Sequence, residues 1–347
     1  MSSTSRRSPR HVFAPAVLAS LALGLAACSG GGTGGGGSSA GPSTPSTVGD
    51  EASISVATAF YPLAWVSEHV GGDRVTITDL TPPGSDEHDL ELSPATVDSL
   101  RRTDLVVYLA DFQAAVDDAV AGLSGPAVYD VTPDANLMPR GSGGAAAHDD
   151  HAHDHAHDHD HAEDDHTEDT HTHAHGPNDP HFWLDPARLA TVADGVARQL
   201  AAIDPAGADT YTANAQRVTA ELTDLAGRID TGLARCKNSS IVVTHQAYGY
   251  LTNPRGIEEI GIAGIDPDTE PSPARIAEIE RAVQNSDATT VFGEVQVDQK
   301  VAEVIANQTG LKVDVLDPLG SKATADATYP GQMQKNLDAL RAALDCP

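Results

Sequence analysis

Short apolar runs alternate with helix-patterned stretches along nearly the whole body of this chain, and that order admits few folds. Ile54–Thr58, Val75–Leu80, Leu105–Leu109 and Ala127–Val131 read as strands. Tyr61 to His69 and Phe112 to Leu123 read as helices between them. Ser93-Pro94 opens another, with serine as cap and proline in the first turn. Such order predicts a mainly parallel sheet covered by helices, since parallel neighbours need a long crossover. The alternation resumes later, with Ile241–Thr244, Thr290–Phe292 and Val313–Leu316 as strands and Tyr248 to Asn253 as a turn or short helix. Helices are expected from Asp185-Pro186 to about Ile203, from Ser272-Pro273 to about Gln284, and over Gln299 to Thr309.

Between the two series, Tyr211, Ala215, Val218, Leu222, Leu225, Ile229 and Leu233 recur at steps of three and four. That spacing predicts one long amphipathic helix from Ala206 to Ala234. The expected architecture is therefore α/β: two parallel-sheet lobes joined by a long backbone helix. Residues 51–205 would form the N-terminal lobe, 206–236 the linking helix and 237–347 the C-terminal lobe. A body of roughly 300 residues suits two modest domains rather than one core. No internal repeat is visible in the sequence.

The first lobe is interrupted by a segment that cannot fold by burial. His148, His151, His153, His155, His157, His159, His161, His166, His171, His173 and His175 are interleaved with ten acidic residues and almost no apolar ones. A disordered loop over 141–178 is the expectation. Imidazole and carboxylate suit borderline divalent metals, so the tract reads either as an acidic linker or as an auxiliary metal-binding loop.

The leader speaks to location. Arg6, Arg7 and Arg10 precede an apolar run from Val12 to Leu25, too short for a stable membrane span. Leu25-Ala-Ala-Cys28 resembles a bacterial lipobox, which implies a lipoprotein signal peptide over 1–28 and a lipid on Cys28; a plain secretory peptide is the alternative. Residues 29–50, rich in Gly, Ser, Pro and Thr, form a flexible tether with a reach of about 25 Å. Cys236 and Cys346, the only other cysteines, form an even pair in an oxidising compartment, so a disulfide is expected. Their wide separation argues against a reactive or metal-binding thiol pair. With 50 acidic against 21 basic residues the net charge is −29, which repels nucleic acid and attracts cations.

In open α/β sheets, ligands bind beyond the carboxyl ends of the strands. His88 follows the strand Val75–Leu80, His245 follows Ile241–Thr244, Asp317 follows Val313–Leu316, and His181 precedes the helix at Asp185. Three imidazoles and one carboxylate make a tetrahedral N/O set suited to Zn2+, placed in the cleft between the lobes. Glu87 or a water are alternative fourth donors. The imidazoles must be neutral to bind, so affinity should fall as pH drops through about 6.5.

The residues around these positions resemble the zinc-binding solute receptors of ATP-driven metal importers, the ZnuA type. Matching motifs are Gly84-Ser-Asp-Glu-His88-Asp-Leu-Glu-Leu-Ser-Pro94, Asp179-Pro-His181-Phe-Trp-Leu-Asp-Pro186, Thr244-His245-Gln-Ala-Tyr-Gly-Tyr250, Glu270-Pro-Ser-Pro273 and Leu316-Asp317-Pro-Leu-Gly320. The resemblance implies a metal held by His88, His181 and His245, with Asp317 at the family's acidic position and Glu87 able to donate in some members. It implies a lipid-anchored monomer on the outer face of the cell membrane, with no enzymatic activity. Its partners would be an ABC permease and the cytoplasmic ATPase. Manganese-binding members carry a carboxylate where this chain has His245, which favours zinc. Glu294 reads as structural or as support for the ligands. A zinc hydrolase is the competing class, although no HExxH helix is present. A surface adhesin that uses metal structurally is a third.

Overall fold

The computed structural model describes residues 53–141, 176–265, 271–295 and 299–347. The signal peptide, Cys28, the tether, Glu270 and all eleven histidines from His148 to His175 lie outside the described residues.

Strands β1 (Ile54–Thr58), β2 (Val75–Asp79), β3 (Leu105–Tyr108) and β4 (Ala127–Asp130) pair in the order β2-β1-β3-β4, all parallel. A second all-parallel sheet joins β5 (Ser240–Val243), β6 (Glu258–Gly261), β7 (Thr290–Glu294) and β8 (Lys312–Leu316) in the order β6-β5-β7-β8. The halves thus share one topology although no repeat shows in the sequence. In each, the first strand sits where the winding reverses, between its second and third partners. Side chains just beyond β1 and β5 therefore face the crevice that such a reversal opens.

In the first half, the connecting helices are α1 (Tyr61–Gly71), α2 (Pro94–Leu100), α3 (Ala114–Ala121) and the single turn α4 (Thr132–Ala135). The Ser93 hydroxyl accepts from the Thr96 N–H at 3.1 Å and so caps α2 as the sequence suggests. Next come α5 (Pro186–Ile203), capped by Asp185, and α6 (Ala208–Leu233). By its 26 residues α6 is about 39 Å long. Its buried residues are the seven named from periodicity. It starts later than expected because Asp204 caps a separate turn over Pro205–Gly207. The second half adds α7 (Gly249–Thr252), α8 (Pro273–Gln284), α9 (Lys300–Thr309) and α10 (Tyr329–Ala343). No helix among the described residues is long and apolar enough to cross a membrane.

Packing ties the halves together. α1 and α5 lie against α6 from the first half, and α10 lies against it from the second. One apolar cluster runs without a break from Ile54 through Trp183 and Leu225 to Leu316, Tyr329 and Leu344. A separate cluster, around Val242, Ile279, Val291 and Ile305, fills the face of the second sheet covered by α8 and α9. The segment after β8 also makes polar contacts to the first half. The Trp183 indole N–H donates to Pro318 O at 2.7 Å, Tyr61 N donates to Gly320 O at 3.1 Å, and the Tyr329 hydroxyl donates to Trp183 O at 2.5 Å. Cys236 and Cys346 are disulfide-bonded, as expected, and Lys237 N and Asn238 N both donate to Leu344 O.

Candidate metal centre

Three loops deliver the imidazoles. His88 lies in the loop after β2, where its own N–H donates to Asp86 Oδ1 at 2.8 Å. His181 follows a short antiparallel pairing that holds the chain on either side of residues 142–175. Pro139 bridges Asn178, Arg140 N donates to Pro177 O, and Asp179 N donates to Met138 O at 2.8 Å. That pairing fixes Asp179, whose Oδ1 accepts from the His181 backbone N–H at 3.0 Å and contacts its ring Nδ1 at 2.9 Å. His245 comes two residues beyond β5, and its Nδ1 meets Glu294 Oε1, at the end of β7, at 2.6 Å. The Thr244 hydroxyl donates to the same carboxylate oxygen.

The result is a cluster in which one nitrogen from each of His88, His181 and His245 lies within 4.8 Å of the others. The Nε2 atoms of His88 and His181 are 3.1 Å apart. A tetrahedral zinc with bonds of about 2.1 Å would hold its nitrogens roughly 3.4 Å apart, so the His88–His181 spacing is close to that of two ligands on one ion. All three rings are buried, His181 completely. In two of the three, Nδ1 is engaged by a carboxylate, which leaves Nε2 to face the ion. His245 Nε2 is buried and has no hydrogen-bond partner among the described residues.

Charge is distributed unevenly around this cluster. Burial alone would lower the pKa of His245. The charge and hydrogen bond of Glu294, with Glu87 adding to them, outweigh it and raise the imidazole to about 9. For Glu294 burial works toward a higher pKa, but the charge and hydrogen bond of His245 keep the carboxyl below its ordinary value. Burial, and then the charge of Asp86, pushes Glu87 up to about 8. Burial also pushes Asp179 up to about 7, against the opposing backbone N–H of His181. Pairing with Glu294 therefore lets His245 keep its proton to a higher pH than an ordinary imidazole does. The proton competes with metal at a higher pH than an ordinary imidazole would suggest.

Of the five expected ligands, the structure brings together the three histidines. Glu87 and Asp317 are buried but do not join the set of mutually close donors. Asp317 Oδ1 accepts from Leu319 N at 2.8 Å, and its main chain is held on both sides by the Asn336 amide. Burial pushes its carboxyl up to about 6. The Glu87 side chain lies over Gly320, where an added Cβ would sit 1.8 Å from its carboxyl carbon. Phe112 stands edge-on to the His88 ring at 5.1 Å, and Phe60 packs edge-on against Phe112 in turn. An acidic cavity lined by His88, Asp89, Glu91, Asp111, Asp117 and Asp118 opens beside the cluster. Sequence reasoning gave Asp179 no role, although its place two residues before His181 is the signal for such support.

Two wound parallel sheets, a long shared helix and a buried three-imidazole pocket define a bilobed metal-binding protein. The family described as "Zinc-uptake complex component A periplasmic", ZnuA, matches residues 56–343, and the chain belongs to it. The zinc-binding protein AdcA of Streptococcus pyogenes is 31% identical over 300 residues, 85% of this chain and 57% of that relative. The chain thus spans little more than half the length of such relatives. The high-affinity zinc uptake system protein ZnuA of Bacillus subtilis is 29% identical over 335 residues, 94% of this chain and 96% of that protein. Among solved structures, the Zn(II)-bound ZnuA-like domain of Streptococcus pneumoniae AdcA shares 27% identity at a TM-score of 0.66. That match covers 84% of this chain and 99% of the domain.

Proposed function

We propose that this protein is an extracytoplasmic receptor that captures Zn2+ and hands it to the permease of an ABC importer. The observation that carries the reading is the convergence of His88, His181 and His245 from both halves within 4.8 Å in a buried pocket. Neutral imidazoles favour zinc over harder ions, and His245 stands where a carboxylate would favour manganese. Glu87, Asp317 or a water completes the coordination. The acidic cavity beside His88 supports cation capture by raising the local cation concentration. The names of the streptococcal and Bacillus relatives point the same way. In this reading Cys28 carries the lipid that anchors a monomer to the outer face of the membrane. The histidine tract gathers zinc, and no chemistry is performed on a substrate.

Calorimetric titration of the metal-free protein with Zn2+, and with Zn2+ against Mn2+, tests the proposal. Tight zinc binding that His88→Ala, His181→Ala and His245→Ala each weaken by orders of magnitude is the expected result. Removal of residues 148–175 should leave one tight site, because the pairing of residues 138–140 with 177–179 holds His181 in place without the tract. Unaltered tight binding in any of the three alanine variants would defeat the assignment.

A further inference from the structure

Buried polar atoms in folded proteins are nearly always hydrogen-bonded, so an orphan points to something outside the chain. The buried side-chain atoms without a partner among the described residues include both Nε2 of His245 and the hydroxyl of Tyr248. A bound zinc accounts for the imidazole nitrogen. It does not account for the phenol, whose O–H is a donor in search of an acceptor.

Tyr248 is 1% exposed, so bulk water does not satisfy it. Its place is well fixed: its N–H donates to Glu259 Oε1 at 3.2 Å, and its carbonyl accepts from the Thr252 hydroxyl at 3.0 Å. It stands three residues after His245, at the start of α7, and Ala247 N donates back to His245 O across the intervening turn. Burial first, and then the charges of Glu294, Asp317, Glu259 and Glu87, push its ionisation well above the ordinary value. The phenol therefore stays a proton donor at physiological pH. Glu294, Asp317 and Glu87 are also the carboxylates considered around the histidine cluster.

We propose that the Tyr248 hydroxyl donates a hydrogen bond to the oxygen that completes the coordination of the ion held by His88, His181 and His245. This rests on the zinc-receptor reading and deepens it. Three imidazoles leave a tetrahedral ion one open position. A phenol O–H that reached that position would steady an anionic oxygen there, either a carboxylate or a polarised water, by a charge-assisted bond. Tyr248 is then a specificity-determining residue: it favours an oxygen donor at the fourth position.

The test compares Tyr248→Phe with the wild-type chain, by zinc titration and by the visible spectrum of the Co2+-loaded protein. Loss of the hydroxyl should weaken zinc binding roughly tenfold and shift the Co2+ bands. The metal-free variant should be at least as stable as wild type, since an unsatisfied buried group has been removed. Combining Tyr248→Phe with Glu87→Gln or Asp317→Asn identifies the oxygen. Non-additive loss with one of them names that carboxylate, and additive loss with both names water; either outcome supports the proposal. Wild-type zinc affinity and an unchanged Co2+ spectrum in Tyr248→Phe would overturn it, as would a clear loss of metal-free stability. His245→Ala run alongside separates the two levels: tight zinc binding there sinks the receptor site itself.

Discussion

His245 and Glu294 form a buried pair, Nδ1 to Oε1 at 2.6 Å, although 49 residues separate them in sequence. Adjacent parallel strands bring them together, since β5 and β7 are neighbours in the second sheet. The carboxylate holds the ring so that Nε2 points into the cluster, and it raises the imidazole's proton affinity. Glu294→Gln keeps the shape and removes the charge. Zinc affinity should fall by roughly 10- to 100-fold, as is usual when a ligand loses such support. Titration calorimetry on the variant checks this.

The same pair sets a pH dependence. With His245 raised to about 9, the metal-free site is protonated at pH 7, and zinc must displace that proton. Affinity should therefore rise with pH, by up to about tenfold per unit between 7 and 9, and level off above. Titrations at pH 7 in buffers of different ionisation enthalpy should show about one proton released. An affinity that is flat from pH 7 upward would contradict the pairing.

Gly320 is fixed by space rather than by backbone angle. A methyl group there would meet the Glu87 carboxyl carbon at 1.8 Å. Both residues are buried, so the Glu87 carboxyl would have to shift within a packed interior to make room. Gly320→Ala should cost about 1–3 kcal/mol in chemical denaturation, the range for overpacking a tight site. Zinc binding should weaken with it, because the same loop carries Asp317.

Asp79, at the carboxyl end of β2, has its carboxyl pushed up to about 7, chiefly by burial and against the backbone N–H groups of Thr81 and Leu80. A folded-state pKa above the unfolded one means that the associated stability is complete below about pH 4 and lost as pH rises through 7. The metal-free protein should therefore be less stable at pH 8 than at pH 5. Asp79→Asn should reduce that difference, as measured by denaturant midpoints at the two pH values.

The Cys236–Cys346 disulfide closes a loop of 110 residues. Cys236→Ser with Cys346→Ser should lower stability by about 4–5 kcal/mol on chain-entropy grounds, or less where the denatured chain keeps structure. Lys237 and Asn238 still donate to Leu344 O in the variant, so the fold itself should persist. Thermal denaturation with and without reductant checks both statements.

Much of this was legible in the chain because the signals are local. The buried face of α6 follows from apolar spacing alone, and the caps at Ser93, Asp185 and Ser272 from residue type. His88, His181 and His245 stood out because ligand-type residues beyond strand ends are conspicuous. β6 is not legible in the sequence, because Glu258 and Glu259 open it and a strand that short shows no clear apolar run. α10 is legible only in part: Tyr329, Met333, Leu337 and Leu340 recur at helical steps and Thr328 caps it, but no strand follows to mark it as a crossover. The support given by Glu294 to His245 required knowing which strands are neighbours. The distance of Glu87 and Asp317 from the closest donor set depends on how loops fold back, which periodicity does not encode.

The bond from Trp183 to Pro318 spans 135 residues, and with Tyr61–Gly320 and Trp183–Tyr329 it has a consequence for assembly. The first sheet can form from its own strands, but the wall of apolar side chains behind it is finished only by residues that follow β8. Until that late stretch docks, the Trp183 indole beside His181 lacks its acceptor, and the two halves that carry the histidines are not yet tied together by these bonds. Competence to hold an ion should thus arrive last, in one cooperative step with the final helix, rather than lobe by lobe.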